Sequence, residues 1–184
     1  MTTAAYDGPA SVRTDPLVVD APVAELVQAL SLAGQTVATA ESLTAGLLSA
    51  TIAGVPGASA VLRGGVVVYA TELKHSLGGV SAEVLQTEGP VAASTAEQLA
   101  VGARTRCGAD WGVALTGVAG PDSQDGHPVG TVFLGLAGPG HTEVMRLKLL
   151  GDRWTIRISA THIAVRELLR CVQGPDASPA EAGG

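Results

Sequence analysis

Residues 36–50, TVATAESLTAGLLSA, begin as a buried strand and end as a helix. Val37 with the small residues Ala38 and Ala40 forms the apolar run, and Leu47 with Leu48 opens the helical pattern. Between them stand Glu41, Ser42 and Thr44, followed by Ala45 and Gly46. A strand-to-helix turn that the chain is ready to bury therefore carries a carboxylate and two hydroxyls. Either Ser42 or Thr44 caps the helix, or the turn holds its polar groups for chemistry.

Outward from this turn the pattern repeats. From Asp20, the apolar residues Val23, Leu26, Val27 and Leu30 recur at helical spacing, with Asp20 as the expected N-cap and Gly34 as the stop. Strand-like runs cover about 36–40, 65–70, 111–116, 130–137 and 142–149. The first three are nearly continuous apolar runs and predict strands covered on both faces. The last alternates and predicts a half-exposed edge strand. Helices are expected at 45–53, 92–106 and 153–171, with a shorter one near 81–87. This alternation predicts an α/β protein, a three-layer α/β/α sandwich, and the short link 137–142 (AGPGHT) makes one strand pair antiparallel. The five-stranded sheet is thus mixed. Residues 17–171 read as one domain between two mobile tails, 1–16 and 172–184, rich in small residues and proline.

Composition narrows the function classes. The 184 residues are 46% hydrophobic with a mean hydropathy of +0.33, enough for one substantial core. The net charge of -6 and an aromatic content of 3% exclude a basic stripe with stacking rings, so no nucleic-acid surface is expected. The apolar runs fall far short of the roughly 20 residues that span a bilayer, so no membrane partner is expected either. The N-terminus lacks a basic and apolar leader, which points to a cytoplasmic protein. Cys107 and Cys171 are far apart, without metal-ligand spacing, and are expected as free thiols.

In a sheet of this type, ligands gather outside the carboxyl ends of parallel strands. Three loops lie there: ESLTAG (41–46), YATELK (69–74) and TGVAGPDSQDGHPVG (116–130). The first does not match the G-x-S-x-G elbow of α/β-hydrolases. A serine needs a base, and the four histidines are scattered. Lys74 supplies the alternative, since lysine deprotonates serine once desolvation lowers its pKa. Tyr69 precedes it by five residues, at the end of an apolar run. The other reading of this pair is a strand-end tyrosine and a solvated lysine. Thr116, Gly117 and Gly120 form either a plain turn or an anion-binding nest. In GDRWTIR, Asp152 is an expected N-cap, and Arg153 and Arg157 share one helix face, suited to a phosphate or simply solvated. Asp122 and Asp125 read as turn formers, and no metal is expected.

Taken in order, AESLTAGLLSA, VPGASAVLRGGVVVYATELKHSLGGV, ALTGVAGPD, HPVGTVFLGLA and GDRWTIR resemble the CinA C-terminal domain family over about residues 20–171. The resemblance implies a five-stranded mixed sheet, a homodimer, and amidohydrolase activity on nicotinamide mononucleotide without cofactor or metal. It implies Ser42 as nucleophile with Tyr69 and Lys74, and substrate contacts from Thr44, Ala45, Gly46, Thr116, Gly117 and Arg157. N–H groups near 44–46 would hold the oxyanion. Departures from the family's motifs are Ala45 for a usual glycine, Leu43 for a frequent cysteine, Ala70 and Thr71 for Ser-Asn, and His127 for a common lysine. With the pocket kept but Ala45 damaging, the alternative is a nucleotide-binding or partner-binding module that has lost turnover. The N-terminal domain carried by many relatives has no room here, which implies a stand-alone form.

Overall fold

The computed structural model describes residues 15–174, so residues 1–14 and 175–184 of the expected tails lie outside the described residues. In chain order the elements are α1 (Val23–Ala33), β1 (Val37–Glu41), α2 (Leu47–Ala53), α3 (Ala58–Val61), β2 (Leu62–Val67), α4 (Thr71–Ser76), α5 (Ala82–Thr87), α6 (Ala93–Cys107), β3 (Trp111–Gly117), β4 (Thr131–Gly138), β5 (His141–Lys148) and α7 (Arg153–Gln173). The strands form one five-stranded sheet in the order β2-β1-β3-β4-β5. β2, β1 and β3 are parallel, and β4 and β5 run antiparallel to their neighbours, so the sheet is mixed as the 137–142 link predicts.

Strand alternation sorts side chains by size onto the two faces. Val37, Trp111, Val113, Leu115, Val132, Leu134 and Leu136 share one core with Leu26 and Leu30 of α1, Ile52 of α2, and Ile156, Ala160 and Leu168 of α7. The opposite face presents Ala38, Ala40, Ala114 and Ala137 to Leu99, Ala100 and Ala103 of α6. Small residues there let α6 lie close to the sheet. A Cβ added at Gly112 would collide with the Ala100 carbonyl, and one at Gly135 with that of Ala96. The same helix meets the chain after α4 backbone to backbone, because a Cβ at Gly102 would collide with the Gly78 carbonyl.

Several expectations need correction. Asp20 is not the cap of α1: its φ is +68°, and the helix starts after Pro22 without any side-chain cap. Gly34 does end α1, in the left-handed conformation. β2 spans 62–67 rather than 65–70, and it is an edge strand with alternating exposure rather than one covered on both faces. The apolar run misleads because Val68 is buried beyond the strand, while Val67 and Tyr69 are about half exposed. α2 starts at Leu47, since Ala45 and Gly46 both have positive φ. The short helices α3 and α4 carry too few residues to show a period. α7 continues to Gln173, past the expected boundary at 171.

Candidate active site

The three parallel strands deliver their carboxyl ends to one edge of the sheet, and a recess of about 100 Å³ opens there. Ser42, Leu43, Tyr69, Lys74, Thr116, Gly117 and Arg153 are among its lining residues.

Glu41 ends β1 fully buried, and its carboxylate explains the polar turn. Oε2 accepts from the N–H groups of Gly46 (2.9 Å) and Leu48 (3.0 Å). Oε1 accepts from Ser49 N–H (2.8 Å), from the Ser49 hydroxyl (2.7 Å) and, more weakly, from Thr39 (3.3 Å). The helix start is thus capped by a carboxylate from the preceding strand, and neither Ser42 nor Thr44 caps it. This also removes the N–H of Gly46 from the expected oxyanion donors. The N–H of Ala45 is taken as well, by the carbonyl of Ser42 at 3.1 Å.

With capping assigned to Glu41, the Ser42 hydroxyl is available to another partner. Lys74 projects from α4 and is 2% exposed, and its Nζ lies 2.7 Å from Ser42 Oγ and 2.8 Å from the Val68 carbonyl. Loss of water around the ammonium lowers its pKa from 10.5 to about 8, so that a minor fraction is the neutral amine near neutral pH and most of it above pH 8. The reading of Lys74 as a solvated lysine does not hold. Among the described residues no carboxylate forms a salt bridge with it.

Tyr69 stands at the mouth, 54% exposed, and its hydroxyl accepts from Arg153, whose guanidinium also donates to the Gly120 carbonyl. Arg153 therefore ties the second loop to the third. Its register on α7 is set by Asp152, which caps the helix by accepting from Thr155 N–H at 2.8 Å, as expected. Arg157, one turn further, does not line the recess. Its Nε and Nη2 donate to the carbonyls of Leu43 (2.8 Å) and Thr44 (3.0 Å), and its guanidinium lies 5.9 Å from the centre of the Trp154 ring.

Among the remaining predicted site residues, Thr116 and Gly117 reach the recess, although the Thr116 hydroxyl donates to the Pro90 carbonyl at 2.7 Å. Thr44, Ala45 and Gly46 do not line it. Ala45 is exposed with φ of +51°, so glycine suits this position for its backbone freedom, and the alanine is not among the residues that line the recess. Ala45→Gly is expected to stabilise the protein by roughly 0.5–1 kcal/mol through relief of the left-handed strain, with little change in any ligand affinity. Thermal melting with parallel titration checks both halves. Sequence reasoning missed the role of Glu41, the reach of Arg153, and Thr71, Asp122 and Gln124 in the lining. For Glu41 the signal was present: a carboxylate at a strand end, five residues before a glycine that opens a helix.

At the opposite end of the sheet, ligand atoms of His141, Glu143 and Cys171 lie within 4.8 Å of one another. Arg170 already occupies Glu143 at 2.8 Å and, with the weaker His141 contact, holds its carboxyl below the usual range, while burial pushes the Cys171 thiol up. A cation there would have to displace a guanidinium.

Fold and site together define a class: a three-layer α/β/α domain whose first strand-to-helix turn sets a serine against a buried lysine. The chain belongs to the CinA C-terminal domain family, whose model matches residues 20–172. A CinA-like protein of Frankia casuarinae is 49% identical over 139 residues, 76% of this chain and 32% of that protein. The chain thus spans about a third of the length of the curated relatives it matches. The competence/damage inducible protein CihA of Agrobacterium tumefaciens superposes with a TM-score of 0.79 at 32% identity, over 83% of this chain and 93% of that one. A CinA superfamily protein of Klebsiella pneumoniae gives 0.80 at 30% identity, over 82% and 95%. Among the described residues no helix is long and apolar enough to cross a membrane.

Proposed function

We propose that this chain is an amidohydrolase that deamidates nicotinamide mononucleotide to nicotinate mononucleotide and ammonia, with Ser42 as nucleophile. The observation that carries the proposal is the 2.7 Å approach of a desolvated Lys74 to the Ser42 hydroxyl. Neutral Lys74 takes the hydroxyl proton as Oγ attacks the carboxamide carbon, then returns it to the departing nitrogen, which leaves as ammonia. Water then attacks the acyl ester, with Lys74 again as base, and releases the carboxylate. The phosphate end of the substrate is assigned to Arg153, the arginine of the α7 pair that lines the recess. Family membership supports the substrate class through the resemblance of the motifs around Ser42, Tyr69 and Lys74.

The test is ammonia release from nicotinamide mononucleotide by the purified chain. Release is expected to exceed that of Ser42→Ala by at least about a hundredfold. Equal release from both proteins rejects the proposal.

A further inference from the structure

The guanidinium that holds Glu143 has a second seat. Arg170 donates Nη2 to Glu143 at 2.8 Å and Nε to Glu167 at 2.7 Å, the latter three residues back on its own helix. If the first contact opens, the second still pairs the arginine. Two carboxylates thus share one guanidinium, and the group carries surplus negative charge.

Around that charge the fold collects three donors from two elements that are far apart in the chain. Side chains alternate along β5, so His141 and Glu143 stand in the row that continues through Met145 and Leu147, which pack on the core shared with α7. Cys171 lies in the last turn of α7, partly buried beside the same core. His141 Nε2 is 3.2 Å from Glu143 Oε2. Bonds of about 2.0–2.1 Å at a tetrahedral angle set nitrogen and oxygen ligands about 3.3 Å apart, so this pair is already spaced for one ion. The thiol completes a set whose ligand atoms all lie within 4.8 Å of one another. A sulfur ligand stands about 3.5 Å from the other two, so closure asks for a movement of about 1 Å. One nitrogen, one oxygen and one sulfur suit a borderline-soft divalent ion of the zinc class rather than magnesium or calcium. A cleft of about 440 Å³, with His141, Arg170, Cys171, Gln35 and Trp111 in its lining, gives the ion a path of entry and room for a fourth ligand.

We propose that His141, Glu143 and Cys171 bind a divalent ion of the zinc class, with Arg170 as the counter-ion that leaves Glu143 when the ion arrives. The Cys171 thiol gives up its proton to solvent as the metal–sulfur bond forms, and the imidazole binds neutral through Nε2. The ion ties the edge strand β5 to the end of α7. This lies at the opposite end of the sheet from the Ser42 recess, and the inference does not rest on the amidohydrolase reading.

The test takes the whole purified chain, stripped with a chelator and titrated at neutral pH with Co²⁺ as a spectroscopic stand-in for zinc. One equivalent is expected to produce a sulfur-to-cobalt charge-transfer band and the visible bands of tetrahedral cobalt, and Zn²⁺ to bleach both. Cys171→Ser should lose the charge-transfer band, whereas Cys107→Ser, which removes the other thiol, should keep it. His141→Ala changes an exposed side chain and decides the matter where Cys171→Ser disturbs the helix end: it should weaken Zn²⁺ binding by at least about tenfold. Arg170→Ala should tighten binding, because the competitor for Glu143 is gone. Zn²⁺ is expected to raise the melting temperature of the wild type and of Cys107→Ser, and Mg²⁺ to leave it unchanged. Absence of the charge-transfer band in the wild type, its survival in Cys171→Ser, or unaltered Zn²⁺ affinity in His141→Ala overturns the site. Unaltered affinity in Arg170→Ala overturns the exchange of counter-ions.

Discussion

Lys74→Met is expected to lower ammonia release by about 10²–10⁴-fold, the range in which a positioned general base acts. Methionine fills the space of the lysine stem without a proton acceptor, so the Ser42 hydroxyl loses its base while the recess stays packed. In the wild type, the rate should rise with pH through about 8, as the Lys74 ammonium loses its proton, and level off above it. A pH profile of kcat/KM checks this, and a profile flat between pH 7 and 9.5 counts against Lys74. Stability carries a second signature, of the opposite sense to an ordinary surface lysine. Below pH 8 both the folded and the unfolded lysine are charged, and the folded protein bears the full cost of burying the charge. Between about 8 and 10.5 the folded lysine is neutral while the unfolded one still binds a proton, so stability rises with pH. The full difference corresponds to about 3 kcal/mol. Relative to Lys74→Met, the wild type should therefore gain up to that amount across this window. Denaturant melts at several pH values measure it, and a difference constant with pH contradicts the desolvated lysine.

Glu41→Ala is expected to be the most damaging substitution for folding in the site region. It leaves three N–H groups and a serine hydroxyl without their acceptor around a fully buried position. Breaking such a buried charged cluster costs about 3–5 kcal/mol. Typical domains have only about 5–15 kcal/mol in total. Glu41→Gln keeps the shape and one acceptor oxygen but turns an amide N–H₂ toward N–H donors. It should fold, melt at lower temperature, and lose turnover because the Ser42 turn shifts. Chemical denaturation of both variants, with ammonia release for Glu41→Gln, tests this. Wild-type stability in Glu41→Ala would show that the clamp is dispensable.

The alternation of strands and helices, the antiparallel pair at 137–142 and the edge character of β5 were all legible in sequence, because burial on one or two faces writes directly into residue spacing. Where an apolar run outlasts its strand, as at Val66 to Tyr69, the spacing misplaces the strand: Val68 lies one residue past β2 yet is still buried, in the core between the sheet and α6 with Ala38, Ala40 and Leu99. The serine–lysine encounter was legible as a pair of loops at one sheet edge. Its desolvation was not, since that depends on how α4, a helix of six residues, packs. The two arginines of α7 looked equivalent at i and i+4. Their targets diverge because one turn of helix carries Arg157 past the recess to the back of the Ser42 turn. Capping of α2 by Glu41 was hidden for a related reason: the acceptor comes from the strand before the turn, not from the residue at the helix start.

The bare contact between Gly102 and Gly78 sets a limit on how this protein tolerates change. Gly78 follows the lysine-bearing helix, and the next turn is tied back to it, Gly78 N–H to the Leu73 carbonyl and Val80 N–H to that of Lys74. Two uncovered backbones are therefore all that separate the outer layer of the molecule from the segment that aims the amine. A single methyl gained on α6 would be transmitted along four residues of chain to the nucleophile's partner. A helix with no side chain in the recess is thus a place where neutral drift is barred, and where a library built to vary only distant positions would still register as loss of chemistry.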